Sequence, residues 1–196
     1  KIPKTASYIR KEFPLSGKVK KATAYFTACG LYKAYINGRE VDHQVLLPGN
    51  TSYAHRLQYQ QYDVTTYLQE GANAVTAVVG EGWYRGKGGF PPTPDEGKRL
   101  KFMCHLEIDM EDGTAVTLDT DSTWRATQDG PIGENDLKAG EHYDARKELA
   151  GWTIPGFDDS KWHEVRKGQY AGALVPCEGE RILEQERFSP KEILHT

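Results

Sequence analysis

The chain has 196 residues, 38% of them hydrophobic and 27% charged, and a formal net charge of −3. That balance excludes a strongly basic nucleic-acid binder on bulk electrostatics, and no local Lys/Arg block restores one. No apolar run approaches the ~20 residues of a membrane span, and no signal-peptide pattern opens the chain, whose start at Lys1 reads as mid-protein. Cys29, Cys104 and Cys177 lie far apart with no CxxC pair, which argues against zinc. Cys29 and Cys104 sit in alternating runs and read as buried thiols, with one disulfide left open.

In chain order, residues 1–7 read as a linker. Ser7 to Leu15 alternates and runs into Pro14, which predicts an edge strand. Val19 to Cys29 has near-period-two apolar spacing and ends at Gly30. Leu31 to Ile36 resumes the alternation, and Asn37-Gly38 predicts a tight hairpin returning through Arg39-Glu40-Val41. Val45 to Tyr53 is an irregular connection. Arg56 to Val64 suits a strand, and Asp63 or Thr65 caps one helical turn stopped by Gly71. Asn73 to Val79 reads as a buried strand. Leu100 to Met110 alternates cleanly, Asp112-Gly113 turns it, and Ala115 to Leu118 returns. Thr123 to Ala126 makes a short strand around Trp124. Gln128 to Ala150 has little periodicity, Trp152 to Trp162 is expected to close the sandwich, and Val165 to Val175 is a weak last strand. Short strands between turn signals, with no helical pattern of ten residues, predict an all-β fold: a jelly-roll-type β-sandwich of two antiparallel sheets with long irregular loops. Phe26, Val78, Phe102, Leu106 and Ile108 are expected inward. The sandwich is placed at residues 8–175, with 176–196 as an exit linker.

Chemistry concentrates in the turn Gly80-Glu81-Gly82-Trp83-Tyr84-Arg85-Gly86-Lys87-Gly88-Gly89, with five glycines in ten residues. Trp83 and Tyr84 can lie against the apolar face of a sugar ring, and Arg85 adds donors for its hydroxyls. The competing reading makes Trp83 a core plug, partly buried and structural, with Tyr84 and Arg85 the more exposed pair. The adjoining Phe90 to Glu96 excursion would form one wall. Asp95, Glu96 and local carbonyls offer oxygen ligands to calcium, although no EF-hand-like spacing accompanies them. The six histidines share no metal-ligand spacing. Glu141 and Asp144 suggest a carboxylate pair for glycoside hydrolysis, but Arg146 lies two residues beyond Asp144. The favoured reading is a structural ion pair of Arg146 with Glu141 or Asp144, with Tyr143 packed beneath.

The ordered motifs YINGREV, LLPGNTSY, QYQQYDVTTYL, GANAV and GEGWYRG, followed by TDSTW, GEHYDAR and GWTIPGFDDSKW, closely resemble the N-terminal accessory domain of bacterial α-L-rhamnosidases. The resemblance covers about residues 8 to 165. It implies a jelly roll upstream of a helical-barrel domain that hydrolyses terminal α-L-rhamnose and supplies the acidic catalytic residues. Nothing here corresponds to that barrel, so no catalytic residue is assigned. The resemblance further implies rhamnose-containing carbohydrate and other domains of the parent chain as partners, and action in the periplasm or outside the cell. Related domains bind rhamnose through calcium; that site has no residue-by-residue match here. A sugar-binding module and a structural spacer remain the two readings.

Overall fold

The computed structural model describes residues 4–86 and 98–192. Its strands are β1 Ser7–Leu15, β2 Val19–Cys29, β3 Leu31–Ile36, β4 Arg39–Glu40, β5 Arg56–Asp63, β6 Gly71–Gly80 and β7 Lys101–Met110. They continue as β8 Ala115–Asp119, β9 Arg125–Thr127, β10 Ile132–Asp136, β11 Gly140–Tyr143, β12 His163–Glu164 and β13 Ala173–Pro176. Six strands form one sheet in the order β12-β9-β1-β6-β3-β4, and five form a second in the order β13-β5-β2-β7-β8. A separate ribbon pairs β10 with β11. The two sheets meet face to face. Phe13, Leu15, Ile36, Val75, Ala77 and Val79 of the first share one core with Ala24, Phe26, Cys104, Leu106 and Ile108 of the second. Trp124 is fully buried in that core, and its indole Nε1 donates to Asp119 O at 2.9 Å, so the ring is buried without an orphaned donor. The architecture is the expected all-β sandwich of jelly-roll type. Strand pairing is antiparallel except that β13 runs parallel to β5.

Local chemistry sets several of these boundaries. Asn37 and Gly38 have φ of 51° and 81°, the pair of left-handed residues that a two-residue turn between β3 and β4 requires. Asn37 also ties this turn to the start of β6. Its Nδ2 donates to Asn73 Oδ1 and its Oδ1 accepts from Ala74 N, both at 2.8 Å.

Four expectations are corrected. β1 is not an edge strand, because β6 pairs along its whole length and β9 pairs on its other side. Pro14 is tolerated because β9 reaches only Tyr8, Ile9 and Arg10, so no ladder needs the missing N–H. Val78 faces away from the main core. It belongs to a second cluster with Ala6, Tyr8, Trp152, Phe157 and Trp162 on the outer face of the six-stranded sheet. The segment containing Trp152 and Trp162 therefore covers that outer face rather than closing the gap between sheets. Among the described residues, the stretch after Val165 holds only β13 as regular structure, and the aperiodic region 128–150 contains the β10–β11 ribbon.

The outer layer is held by a charge that the sequence gives no reason to expect inside. Arg10 is 1% exposed. Its guanidinium donates to the carbonyls of Trp152 (3.3 Å), Ile154 (3.1 Å) and Phe157 (3.4 Å), and pairs with Asp159 and Glu12. A planar five-donor group can satisfy several carbonyls of one loop at once, which an ammonium cannot do in the same geometry.

Candidate functional site

The glycine turn leaves the end of β6, the central strand between β1 and β3. Its backbone is fixed from the side: Glu81 N donates to Asn135 Oδ1 of β10 at 2.6 Å. Its interior is ionic. Arg85 Nε meets Glu81 Oε1 at 2.9 Å, and the two side chains are 3% and 1% exposed. Arg85 N also donates to Glu81 O at 3.3 Å, and Arg85 Nη1 to Lys98 O at 3.4 Å. Asp136 is buried beside them. Its Oδ1 accepts from Lys138 N and Ala139 N, each at 2.8 Å, which caps the turn of the ribbon. Among the described residues, two carboxylates and one guanidinium thus lie under the turn, at a cost in desolvation that only close pairing and hydrogen bonds offset.

Above this base, Trp83 and Tyr84 are half-buried. Tyr84 stands edge-on to Tyr53, with ring centres 5.2 Å apart, and Lys98 Nζ lies 5.4 Å from the Tyr84 ring centre. Burial raises the Tyr84 hydroxyl pKa, so the phenol is a neutral donor and acceptor near neutral pH. Arg85 is not the exposed partner of Tyr84 that the sequence suggested; its guanidinium is turned inward onto Glu81. The spacing Glu81-x-x-x-Arg85 is the signal available in the sequence for the pair, and no local pattern points to Asp136 as a member of the site. Asp95, Glu96 and the rest of the excursion from Phe90 lie outside the described residues. Among the described residues, no group of three or more His, Cys, Asp or Glu side chains is placed to hold a metal ion.

The second candidate string is open to solvent. Arg146 binds Asp144 in a fork, Nε to Oδ1 and Nη2 to Oδ2, each at 2.8 Å. The Arg146 side chain is 90% exposed. The hydrogen bonds from its side chain hold the Asp144 carboxyl below its usual range, which suits a persistent anion and not a general acid. Glu141 takes no part in the pair; it sits on β11 opposite Asn135. Tyr143 is not packed beneath. It is half exposed, and its hydroxyl donates to Glu148 Oε1 at 2.8 Å.

Residues 17–186 match the family model described as the α-L-rhamnosidase N-terminal domain. An α-L-rhamnosidase of Streptomyces avermitilis is 47% identical over 166 residues, which cover 84% of this chain and 16% of that protein. The crystal structure of the S. avermitilis α-L-rhamnosidase complexed with L-rhamnose superposes with a TM-score of 0.79 at 44% identity, over 93% of this chain and 17% of that one. The native α-L-rhamnosidase of Aspergillus terreus gives a TM-score of 0.78 at 35% identity, over 89% and 20%. The chain therefore spans under a fifth of the curated S. avermitilis relative. By the length of the match and the agreement in fold, it belongs to the α-L-rhamnosidase N-terminal domain family.

Proposed function

We propose that this chain is a non-catalytic accessory domain of an α-L-rhamnosidase and that it aids recognition of rhamnose-bearing carbohydrate. The observation that carries the reading is the pair of half-buried aromatics, Trp83 and Tyr84, on a turn locked from below by Arg85 and Glu81. Aromatic faces that are fixed before a ligand arrives lose little freedom on binding, which favours a weakly interacting neutral sugar. The non-catalytic part rests on the carboxylates. Glu81 is ion-paired under the turn and Asp144 is held as an anion by Arg146, so neither offers the raised-pKa acid that glycoside hydrolysis needs.

A structural spacer is the second reading, and one surface favours it. Val45, Ile182 and Leu183 are exposed apolar side chains on neighbouring backbone, joined by Val45 N to Ile182 O at 2.9 Å and a Gln44–Leu183 bridge. Such a patch suits packing against another domain of the same polypeptide.

Calorimetric titration of L-rhamnose, first with calcium and then with chelator, separates the readings. Heat from the wild type that Trp83→Ala removes, with the melting temperature little changed, supports recognition at the turn. No heat under either condition assigns the domain to the spacer role. The isolated chain is expected to leave a chromogenic α-L-rhamnoside intact; turnover abolished by Glu141→Gln would overturn the non-catalytic assignment.

A further inference from the structure

We propose that a cleft on the outer face of the six-stranded sheet is a separate seat for one neutral pyranose. The proposal rests on the carbohydrate-recognition reading above but uses none of the glycine-turn residues. The cleft has a volume of about 280 Å³. Its floor is the sheet itself: Tyr8 and Val78 are register partners across β1 and β6, and Tyr35 comes from β3. One wall is Trp152 with Leu149, and the other is Ile132 with Tyr143 from the β10–β11 ribbon.

The lining is preorganised. Trp152 stands edge-on to Tyr8 at 5.3 Å and to Tyr35 at 6.0 Å between ring centres. The Tyr8 hydroxyl accepts from Ile132 N at 3.3 Å, which ties the ribbon to the floor. At the mouth, Tyr143 is 50% exposed and its hydroxyl is already directed onto Glu148. Arg10, buried beneath the 152–159 segment, keeps the Trp152 wall in place through its bond to Trp152 O.

The chemistry selects the ligand class. An aromatic lining favours a ligand with an apolar face. The Glu148 carboxylate accepts hydrogen bonds and donates none, and Tyr143 occupies only part of its capacity, so the ligand should bring donors. An anion is disfavoured by that carboxylate. A sugar ring meets both demands, with C–H groups on one face and hydroxyls at its edge. The volume limits it to one ring, since pockets that enclose drug-sized ligands run to roughly 300–1,000 Å³.

The test is a ¹⁵N–¹H correlation titration of the 196-residue chain with L-rhamnose and, separately, with choline. Saturable shifts with L-rhamnose at Ile132, Tyr143 and the Trp152 indole are expected, and they should persist in Trp83→Ala. Tyr143→Ala and Glu148→Gln should each weaken them about tenfold, with little change in Tm because both side chains are exposed. Tyr143→Phe, which keeps the ring and removes only the hydroxyl, covers the case in which Tyr143→Ala disturbs the ribbon. Shifts confined to residues 80–86 would overturn the cleft site and leave recognition at the turn standing. Shifts at neither place would overturn both. Saturation by choline with no response to L-rhamnose would overturn the sugar assignment.

Discussion

Two of the arginine–carboxylate pairs in this domain, Arg85–Glu81 and Arg146–Asp144, are made different objects by burial. Arg85 and Glu81 are 3% and 1% exposed, under a turn at the end of a central strand. Arg146 and Asp144 have better fork geometry, yet the arginine is 90% exposed. The sequence invites the opposite assignment: Arg85 sits among aromatics as a donor for a ligand, and Arg146 sits in a polar string as a lock. Pairing geometry alone does not rank such contacts. An ion pair held in water gains little over two solvated ions, whereas one buried pair member cannot be removed without stranding the other. The buried pair is the lock, and the exposed pair is free to change.

The largest expected effect breaks the buried member. Arg85→Ala removes the guanidinium that meets the buried Glu81 at 2.9 Å and should cost about 3–5 kcal/mol, a fall in Tm of roughly 6–20 °C for a chain of this size. Urea unfolding of Glu81→Gln, Arg85→Gln and the double variant should reveal strong coupling, with the double costing much less than the sum of the singles. Additive costs would mean that the two groups act independently and that the contrast with Arg146 is one of exposure only.

An intermediate effect is expected from the backbone beside each pair. Gly86 and Gly140 have φ of 95° and 90°, so alanine pays a similar conformational penalty at both. Their surroundings differ. A Cβ at Gly86 would lie 2.6 Å from Asp136 Oδ2 and 3.2 Å from Glu81 Oε2, while one at Gly140 meets nothing within 4 Å. Gly140→Ala should cost about 1–2 kcal/mol, and Gly86→Ala about 1–3 kcal/mol more from overpacking. Equal losses in parallel denaturant melts would show that the buried cluster yields easily and does not lock the turn.

The contrast also explains what could be read without coordinates. Sandwich strands buried on one face were legible to the residue: β2 and β3 begin and end where the alternation of Val19–Cys29 and Leu31–Ile36 does. The ribbon strands were not legible, because Gly140–Tyr143 is exposed throughout and no face is selected for apolar residues. β6 failed in the reverse way. Its run Ala74 to Val79 is covered on both faces, by the core and by the Trp152 layer, so alternation is lost and the expectation of Val78 inward puts it on the wrong side. At the site, the aromatic turn was visible as a motif. The inward direction of Arg85 was not, since it depends on Glu81 being carried beneath the turn and on Asn135 of the ribbon holding it there.

The smallest effect belongs to the exposed pair, and its pH dependence tests why. Hydrogen bonds from Arg146 lower the Asp144 pKa in the folded chain. A group depressed in the native state contributes stability above its unfolded pKa, ~3.9 for aspartate, and loses it as pH falls through the folded value. Arg146→Ala should therefore lower Tm by less than about 2 °C at pH 7. The gap to the wild type should begin to close below about pH 4 and vanish once the pH has fallen through the depressed Asp144 value, where the group is protonated in both proteins. It should also shrink in high salt, because the Arg146 side chain stands in solvent and is open to counterions. A gap that matched the loss in Arg85→Ala, or that survived at low pH, would mean that Arg146 holds the 144–148 turn by packing along its stem. Lys147, which pairs with Asp129 at 3.1 Å one residue on, would then be the next side chain to remove.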